Sequence, residues 1–253
     1  MSHKFVWYEL ATDHLDAAPA FYASVIGWRT QKWDEHSEYS MWVAPAGPIG
    51  GLMRLPESAK AMGAPPHWLA YVEVADVDAG AARVAQLGGK VYVPPTDLAG
   101  SGGRFAVVAD PSGAVFGIHK SGMPDAGPRP EGLGQFVWAE LATGDLDQAL
   151  GFYGELFGWV KAGAIDMPGG AVYQMFGEPG QPALGGMMQA QPGMPVAWLH
   201  YASVADIDAA LAAATAGGGK VLYGPMAIPG GGHAGLCLDP WGAAFGLVSG
   251  PTA

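Results

Sequence analysis

Hydrophobic and polar side chains alternate along residues 136–143, which read Phe-Val-Trp-Ala-Glu-Leu-Ala-Thr. Trp138 and Glu140 fall on one face of this alternation. The other alternating set is wholly apolar and forms the side on which a helix would pack: Val137, Ala139 and Leu141. The pattern predicts a β-strand that is covered by a helix on one side and carries Trp and Glu on the other.

An earlier segment repeats this pattern, with Trp7 and Glu9 in the equivalent places of residues 5–12. Fourteen of the 24 aligned positions are identical between residues 5–28 and residues 136–159. Two unrelated segments of one polypeptide would not share so much. The protein is therefore interpreted as a tandem duplication, and every later inference is made in both copies.

Each of these strands is followed by apolar residues at helical spacing, which predicts helices over roughly residues 15–26 and 146–157. Gly27 and Gly158 follow them, in the position where glycine commonly ends a helix. The expected N-cap and first-turn residues have short polar side chains: Thr12, Asp13, Thr143 and Asp145.

Each copy continues with short strands and a second strand–helix unit, which Asp76 opens in the first copy and Asp206 in the second. Two strands joined by a tight turn close each copy, over residues 104–109 and 114–119, and over residues 233–238 and 243–248. Each copy is therefore predicted to contain two consecutive βαβββ motifs.

These patterns predict two modules, residues 1–122 and 133–253, joined by a Pro/Gly linker over residues 123–132. The expected fold class is α+β. Each module should form an eight-stranded, curved mixed sheet with helices outside.

Composition restricts the possible partners. The 12 basic and 23 acidic residues give a formal net charge of −11, and such an acidic surface repels polyphosphate. Cys237 is the only cysteine, so an intramolecular disulfide and a cysteine metal cluster are both excluded. No apolar run approaches 18 residues and no basic-then-apolar leader is present. We expect a cytoplasmic protein without nucleic-acid or membrane partners, as a monomer of two packed modules or a weak homodimer.

The motifs resemble those of a known family. The first part is a helix that begins after an Asp, contains Phe-Tyr and ends at a Gly followed by an aromatic residue. The second part is an Asp-Val-Asp-Ala segment, and the third is a hairpin with the turn Asp-Pro-x-Gly. This combination resembles the vicinal oxygen chelate superfamily, which includes glyoxalase I, extradiol dioxygenases, and fosfomycin- and bleomycin-resistance proteins. The repeated Trp-x-Glu-Leu-x-Thr is most similar to a two-module branch labelled glyoxalase-like or hydroxylase. The fold implied is the one derived above, but the superfamily covers isomerases, dioxygenases, transferases and binding proteins.

The resemblance implies a divalent metal held by His and Glu side chains on about four strand positions. In this sequence those positions carry residues without a suitable donor for a hard cation: Trp7, Trp138, Leu69, Leu199, Gly117, Gly246, Met53 and Met188. Both copies depart from the family pattern in the same way. We therefore expect no metal site of the usual kind and no cofactor.

Glu9 and Glu140 are the candidate catalytic residues. Each lies two positions after a lost ligand on the same strand face, where a carboxylate beside Trp could act as a general base or bind a hydroxyl or cationic group. A structural carboxylate bonded to backbone amides or to a basic residue is the alternative. His200 lies next to a family ligand position, but strand parity places it on the face covered by a helix, so a structural histidine is favoured.

A mostly apolar pocket is expected beside these carboxylates. Its predicted walls are Trp7, Met53, Tyr71, Trp138, Met188 and Tyr201. Arg104 and His233 begin equivalent strands after glycine-rich turns and could reach an anionic ligand, although a solvated strand end is the favoured interpretation.

Three functional hypotheses follow. The main one is metal-independent binding, or sequestration, of a small, largely apolar organic molecule. The second is a glyoxalase-like lyase or isomerase, or a hydroxylase-type enzyme, that uses Glu9 or Glu140 as base. The third is a metal-dependent member with a non-standard ligand set, such as Glu140 with His200 or His233.

Overall fold

The computed structural model describes residues 3–34, 38–98, 103–122 and 132–250. In the first module the elements follow the predicted order, with one additional short helix, α2. They are β1 (Phe5–Ala11), α1 (Ala18–Val25), β2 (Arg29–Lys32), β3 (Ser40–Ala44), β4 (Gly47–Met53), α2 (Glu57–Ala61), β5 (His67–Glu73), α3 (Val77–Gln86), β6 (Lys90–Asp97), β7 (Arg104–Ala109) and β8 (Val115–Lys120).

The second module repeats this order without a counterpart of α2. Its elements are β9 (Phe136–Thr143), α4 (Leu146–Phe157), β10 (Val160–Asp166), a 3-10 turn (Pro168–Gly170), β11 (Val172–Gly177), β12 (Ala183–Gln189), β13 (Ala197–Ser203), α5 (Ile207–Ala216), β14 (Lys220–Ala227), β15 (His233–Leu238) and β16 (Ala244–Ser249).

Each module forms one eight-stranded sheet. The strand order is β2-β3-β4-β1-β5-β8-β7-β6 in the first and β10-β11-β12-β9-β13-β16-β15-β14 in the second. The pairs β1–β4 and β5–β8 are parallel, and the pairs β2–β3, β3–β4, β6–β7 and β7–β8 are antiparallel, so the sheet is mixed. The predicted α+β class with duplicated βαβββ motifs is confirmed.

The compact units do not follow the two modules. Unit 1 contains residues 3–6, 70–98, 103–122 and 138–199, and unit 2 contains residues 7–34, 38–69, 132–137 and 200–250. Each unit therefore combines one half of the first module with one half of the second. The linker predicted over residues 123–132 lies outside the described residues except for Gly132.

The core of unit 2 lies between α1 and α5, which come from different modules. Tyr22 and Trp28 stack with ring centroids 5.6 Å apart, and Trp42 and Trp68 meet the Tyr22 ring at 5.4 and 5.3 Å. Phe245 of β16 adds an edge contact to Tyr22 at 5.3 Å. This burial of aromatic surface from both modules is the main attraction inside the unit.

Unit 1 repeats this arrangement with α3 and α4. Tyr153 stacks on Trp159 at 5.6 Å and contacts Trp198 and Phe116 at 5.3 and 5.5 Å. The Phe-Tyr dipeptides of the two helices and the tryptophans that follow them are therefore core residues in both units. The duplicated motif that identified the repeat is explained by packing.

A buried hydrogen-bond bridge joins the two duplicated motifs within each unit. Tyr22 Oη donates to Asp239 Oδ2 at 3.1 Å and accepts from Trp68 Nε1 at 2.9 Å. In unit 1, Tyr153 Oη donates to Asp110 Oδ2 at 3.1 Å and accepts from Trp198 Nε1 at 2.9 Å. The tyrosine of one module's helix thus binds the Asp-Pro-x-Gly turn of the other module.

Helix starts agree with prediction in three of four cases. Asp76, Asp145 and Asp206 cap their helices by accepting from a backbone N–H three residues on, at 2.9–3.0 Å. The prediction for the first helix is wrong, because α1 begins at Ala18 and its N-cap Ala17 has no side-chain bond. Pro19 near the helix start fixes φ there, and a turn occupies the preceding residues. None of the helices in the described part of the polypeptide is long and apolar enough to cross a membrane.

Candidate functional site

Trp7, Glu9 and Tyr39 form a hydrogen-bonded network in unit 2. Trp7 Nε1 donates to Tyr39 Oη at 2.8 Å, and Tyr39 Oη donates to Glu9 Oε1 at 2.7 Å. Trp7 and Glu9 lie two residues apart on β1 and share one face, as predicted. All three side chains are partly buried, so the carboxylate is neither a core residue nor a freely solvated one.

The same network recurs in unit 1. Trp138 Nε1 donates to Tyr173 Oη at 2.8 Å, and Tyr173 Oη donates to Glu140 Oε2 at 3.1 Å. These three side chains are partly buried as well. We call the two arrangements the first and the second Trp–Tyr–Glu network. Each candidate glutamate therefore accepts a hydrogen bond from a tyrosine that in turn accepts one from a tryptophan.

Glycines in the adjacent strand make room for the tyrosine rings. Glu9 is the register partner of Gly51 across the parallel pair β1–β4, and Glu140 is the partner of Gly186 across β9–β12. A Cβ on Gly51 would lie 1.9 Å from Tyr39 Oη, and a Cβ on Gly186 would lie 2.0 Å from Tyr173 Cε1. Only glycine allows a phenol ring to lie across the strand at these positions.

Methionines lie in the same cross-strand rows as the two glutamates. Met41 is the register partner of Gly51, so Met41, Gly51 and Glu9 form a row across three strands. Met175, Gly186 and Glu140 form the same row in the second module. The predicted wall residues Met53 and Met188 are partly buried at the ends of β4 and β12, on the same strand faces as these glycines: Gly51 and Gly186.

Burial and charge determine the state of Tyr39. Burial, followed by the neighbouring Glu9 carboxylate, raises the pKa of Tyr39 far above its ordinary value, although the Trp7 N–H acts in the opposite direction. The phenol therefore keeps its proton at any pH at which the protein would work, and it stays a hydrogen-bond donor.

The other predicted wall tyrosines, Tyr71 and Tyr201, are buried. A Cβ on Gly117 would lie 2.0 Å from Tyr71 Cδ1 in unit 1, and a Cβ on Gly246 would lie 2.4 Å from Tyr201 Cδ1 in unit 2. Each ring thus covers the glycine that is its register partner on the parallel neighbour. Tyr201 Oη also lies 2.7 Å from Tyr223 Oη.

The two candidate anion-binding residues have different surroundings. Arg104 begins β7 and forms ion pairs with Asp78 at 2.8 Å and with Asp97 at 2.6 Å. Its guanidinium is held by carboxylates of its own unit. His233 begins β15 and is exposed.

His200 is a structural histidine, as strand parity indicated. It is 3 % exposed in unit 2, where its ring meets those of Tyr8 and Phe136 at 5.2 and 6.3 Å. Burial lowers the pKa of His200 to about 3, so the imidazole is neutral at ordinary pH.

The described residues do not fit the metal site that the family resemblance implies. Among residues 3–34, 38–98, 103–122 and 132–250, no group of three or more His, Cys, Asp or Glu side chains is placed to hold a metal ion. At two of the expected ligand positions, Gly117 and Gly246, a tyrosine ring occupies the space that a ligand side chain would need. The chemistry proposed below is therefore derived from the protein's own groups.

An apolar groove of about 320 Å³ lies elsewhere in unit 2. It is lined by small and aromatic residues of α1, the end of α5 and the following turn: Ala17, Ala20, Phe21, Ser24, Gly217, Pro240 and Trp241. A serine hydroxyl is its main side-chain polar group, so it offers little for catalysis. We take the Trp–Tyr–Glu networks as the candidate site.

Sequence reasoning found the glutamates and tryptophans but not the tyrosines between them. Tyr39 and Tyr173 are not among the predicted site residues. A usable signal was present, because Gly50-Gly51 and Gly185-Gly186 are duplicated inside strands and none of these four glycines has a positive φ. A glycine pair that serves no turn indicates that another group passes close to the strand.

Comparison with known proteins gives a consistent result. The model of the family described as Glyoxalase/Bleomycin resistance protein/Dioxygenase superfamily matches residues 4–118 and 135–247. The protein is 32% identical over 249 residues to "Putative glyoxylase CFP32" of Mycobacterium bovis, covering 96% of this chain and 93% of that protein. It is 30% identical over 261 residues to "Anthracycline biosynthesis protein DauV" of Streptomyces sp., covering 96% and 91%.

Solved structures share the fold at low identity. The Mn(II)-bound glyoxalase from Novosphingobium aromaticivorans superposes with a TM-score of 0.64 at 18% identity, over 98% of this chain and 81% of that one. The 2,2',3-trihydroxybiphenyl 1,2-dioxygenase from Sphingomonas wittichii superposes with a TM-score of 0.67 at 14% identity, over 99% and 91%.

These comparisons correct the main functional hypothesis. Metal-independent binding or sequestration without catalysis was expected because the family's metal-ligand positions carry residues without a suitable donor in this sequence. The relatives that match along nearly their whole length instead carry the names of a glyoxylase and of a biosynthesis protein, and the similar structures are a glyoxalase and a dioxygenase. The binding-protein prediction is wrong, and the enzymatic alternative agrees better with these findings.

Proposed function

This chain belongs to the Glyoxalase/Bleomycin resistance protein/Dioxygenase superfamily, and from that premise we propose that it is a glyoxalase-like enzyme of the lyase or isomerase type. Its proposed reaction is the transfer of a proton from carbon, with Glu9 and Glu140 as the bases. The observation that carries the proposal is the duplicated Trp–Tyr–Glu network, which holds one carboxylate in each module in the same chemical surroundings.

The geometry supports proton transfer through a simple sequence of steps. An ionised carboxylate removes a proton only from carbon that is activated, and a neighbouring carbonyl group supplies that activation. Glu9 or Glu140 accepts this proton on a carboxylate oxygen, and the electron pair moves onto the carbonyl oxygen. In an α-hydroxycarbonyl substrate, return of this proton to the former carbonyl carbon gives the isomer, while the hydroxyl group on the deprotonated carbon passes its own proton to the former carbonyl oxygen. In a lyase reaction, the carbonyl group re-forms and a leaving group departs with its electron pair from the carbon on the other side of the deprotonated carbon.

The surroundings of the glutamates support a small, largely apolar substrate. In the first network the carboxylate accepts from a phenol that in turn accepts from an indole, and Met41 lies two strands away in the same cross-strand row. The second network has the same bonds, with Met175 in the place of Met41. Indole and thioether groups bind apolar or planar organic surfaces. The protein's formal charge of −11 disfavours polyanionic substrates.

Deuterium exchange tests the proposal without knowledge of the natural substrate. Small hydroxyketones and the hemithioacetals of 2-oxoaldehydes are incubated with protein in D₂O, and the loss of the C–H signal is followed by proton NMR. The double variant Glu9→Gln/Glu140→Gln should lose at least about a hundredfold of the exchange rate. Glu57→Gln, an exposed glutamate paired with Lys60, is the matched control and should keep the full rate. Equal rates in the double variant and the unmodified protein would contradict the proposal.

A planar aromatic substrate is a second candidate, because one relative is named for anthracycline biosynthesis. The same exchange assay distinguishes it when hydroxylated anthraquinones whose side chain carries a C–H next to a carbonyl group replace the small carbonyl compounds. We further propose that the substrate is a small molecule and that the protein is cytoplasmic, without nucleic-acid or membrane partners. Its proposed state is a monomer or a weak homodimer.

A further inference from the structure

We infer that Tyr39 and Tyr173 are positioning residues that act through Glu9 and Glu140, each holding its carboxylate ionised and fixing its orientation. The inference rests on the proposed function, because it assigns the tyrosines a task in the chemistry of the two glutamates. The tyrosines are not placed against substrate, and the base remains the carboxylate in each module.

The direction of the hydrogen bonds is fixed by the donors. An indole N–H can donate but cannot accept, so Trp7 must donate to the oxygen of Tyr39. The hydroxyl hydrogen of Tyr39 then points to Glu9 Oε1, 2.7 Å away. Because a carboxylate accepts this bond and a protonated carboxyl oxygen accepts it less well, the bond favours the ionised form of the glutamate. Trp138, Tyr173 and Glu140 are related in the same way.

The tyrosines have little freedom to leave these positions. Each ring lies over a glycine, and a single added carbon at Gly51 or Gly186 would overlap the phenol. The high pKa that burial and Glu9 give to Tyr39 keeps its hydroxyl protonated, so it cannot exchange the roles of donor and acceptor with the carboxylate. One carboxylate oxygen in each network is therefore held in a fixed direction.

The Trp–Tyr–Glu network has the same bonds in both modules, although the segments that lead to its tyrosine differ. Tyr39 follows Trp28 by 11 residues, whereas Tyr173 follows Trp159 by 14 residues. The intervening strands also differ, since β2 has four residues and β10 has seven, with an irregularity in its pairing. The networks nevertheless have the same bonds. A side chain that merely filled space would not need to reach the same carboxylate from two different loop lengths.

The pKa of each glutamate can be measured without any substrate. The protein is labelled with ¹³C at the glutamate carboxyl carbon and titrated by NMR, and Glu9→Gln and Glu140→Gln assign the two signals. In Tyr39→Phe the Glu9 signal should titrate about one pH unit higher, a tenfold change in proton affinity, while the Glu140 signal stays unchanged. Tyr173→Phe should give the reverse, so each variant is the matched control of the other.

A second variant keeps the test decisive if Tyr39→Phe fails to fold. Gly51→Ala keeps Tyr39 in the sequence but displaces its ring, and it should move the Glu9 titration in the same direction as Tyr39→Phe. A purely structural tyrosine would change stability and leave both titrations in place, and a shift below about 0.2 units in both Phe variants would overturn the inference. Absence of deuterium exchange in the unmodified protein, with the titration shifts present, would refute the proposed reaction and leave the positioning role of the tyrosines standing.

Discussion

Removal of the Tyr22 hydroxyl should destabilise the protein strongly, although the change is a single oxygen atom. Tyr22 is fully buried, and its hydroxyl lies between Trp68 Nε1 at 2.9 Å and Asp239 Oδ2 at 3.1 Å. In Tyr22→Phe the indole donor loses its acceptor and the carboxylate loses a donor. The benzene ring still fills the core of unit 2, so the measured effect reports the hydrogen bonds and not a cavity.

The expected magnitude follows from the two groups left without this partner. A buried polar group that loses its hydrogen bond costs about 1–3 kcal/mol. Asp239 keeps two backbone donors, the N–H groups of Trp241 at 3.0 Å and Ala243 at 2.8 Å. Its contribution to the loss of stability therefore lies at the lower end of that range. With Trp68 included, the free energy of unfolding should fall by about 2–4 kcal/mol at neutral pH.

The cost should depend on pH because a carboxylate is involved. Burial raises the pKa of Asp239, while backbone N–H groups and the Tyr22 hydroxyl lower it. Loss of the hydroxyl therefore raises the folded-state pKa further. A group with a raised folded-state pKa favours folding fully below its unfolded pKa, and this contribution is lost as the pH rises through the folded pKa. The destabilisation by Tyr22→Phe should thus be smaller at pH 4 than at pH 7.

Urea unfolding followed by tryptophan fluorescence at both pH values measures this cost. Tyr153→Phe, which removes the equivalent hydroxyl from Asp110 in unit 1, should show the same loss and the same pH dependence. Tyr92→Phe is the control, since that partly exposed ring lies under Lys90 and should change stability by less than about 0.5 kcal/mol. A loss below that value in Tyr22→Phe, or a loss independent of pH, would refute the reasoning.

Three further outcomes are expected. Gly51→Ala should lower the free energy of unfolding by about 1–3 kcal/mol in urea titrations, because the new methyl group overlaps the Tyr39 hydroxyl. Burial raises the pKa of Cys237 to about 11, so a disulfide reagent at pH 8 should modify this thiol only after unfolding, and rapid reaction of the folded protein would contradict its position. Asp145→Ala removes the side chain that accepts from Gln148 N at 2.9 Å, and it should cost about 1 kcal/mol by the same urea assay.

The fold could be predicted in detail because its signals are local and occur twice. Alternation in residues 136–143 gave the strand, and three of the four Asp-led helix starts have the predicted cap. The exception at α1 shows that a polar residue before an apolar run is not sufficient when a turn and a proline intervene. Duplication also allowed each weak signal to be checked against its copy.

The long-range pairing within each unit could not be predicted. Both the Phe-Tyr of the helices and the Asp-Pro-x-Gly turns were recognised, yet no local pattern shows that Tyr22 reaches Asp239, 217 residues away. Duplication makes this harder, because each tyrosine has two equivalent aspartates to choose from. The partner of Glu9 was missed for a related reason: Tyr39 lies on another strand, and only the glycine at position 51 hints that a ring crosses there.

Comparison of the four βαβββ motifs distinguishes the packing role of the tyrosines from the role of the glutamates. In every motif a phenol ring covers a glycine of the last strand: Gly51, Gly117, Gly186 or Gly246. In the motifs that begin with β5 and β13, the ring belongs to the residue opposite that glycine, Tyr71 or Tyr201.

In the motifs that begin with β1 and β9, the residue opposite the glycine is Glu9 or Glu140, and the ring comes from elsewhere. Coverage of the glycine is therefore achieved with or without a carboxylate on the first strand. The proposed role of Glu9 and Glu140 as bases rests instead on the tyrosine hydroxyl that donates a hydrogen bond to each carboxylate.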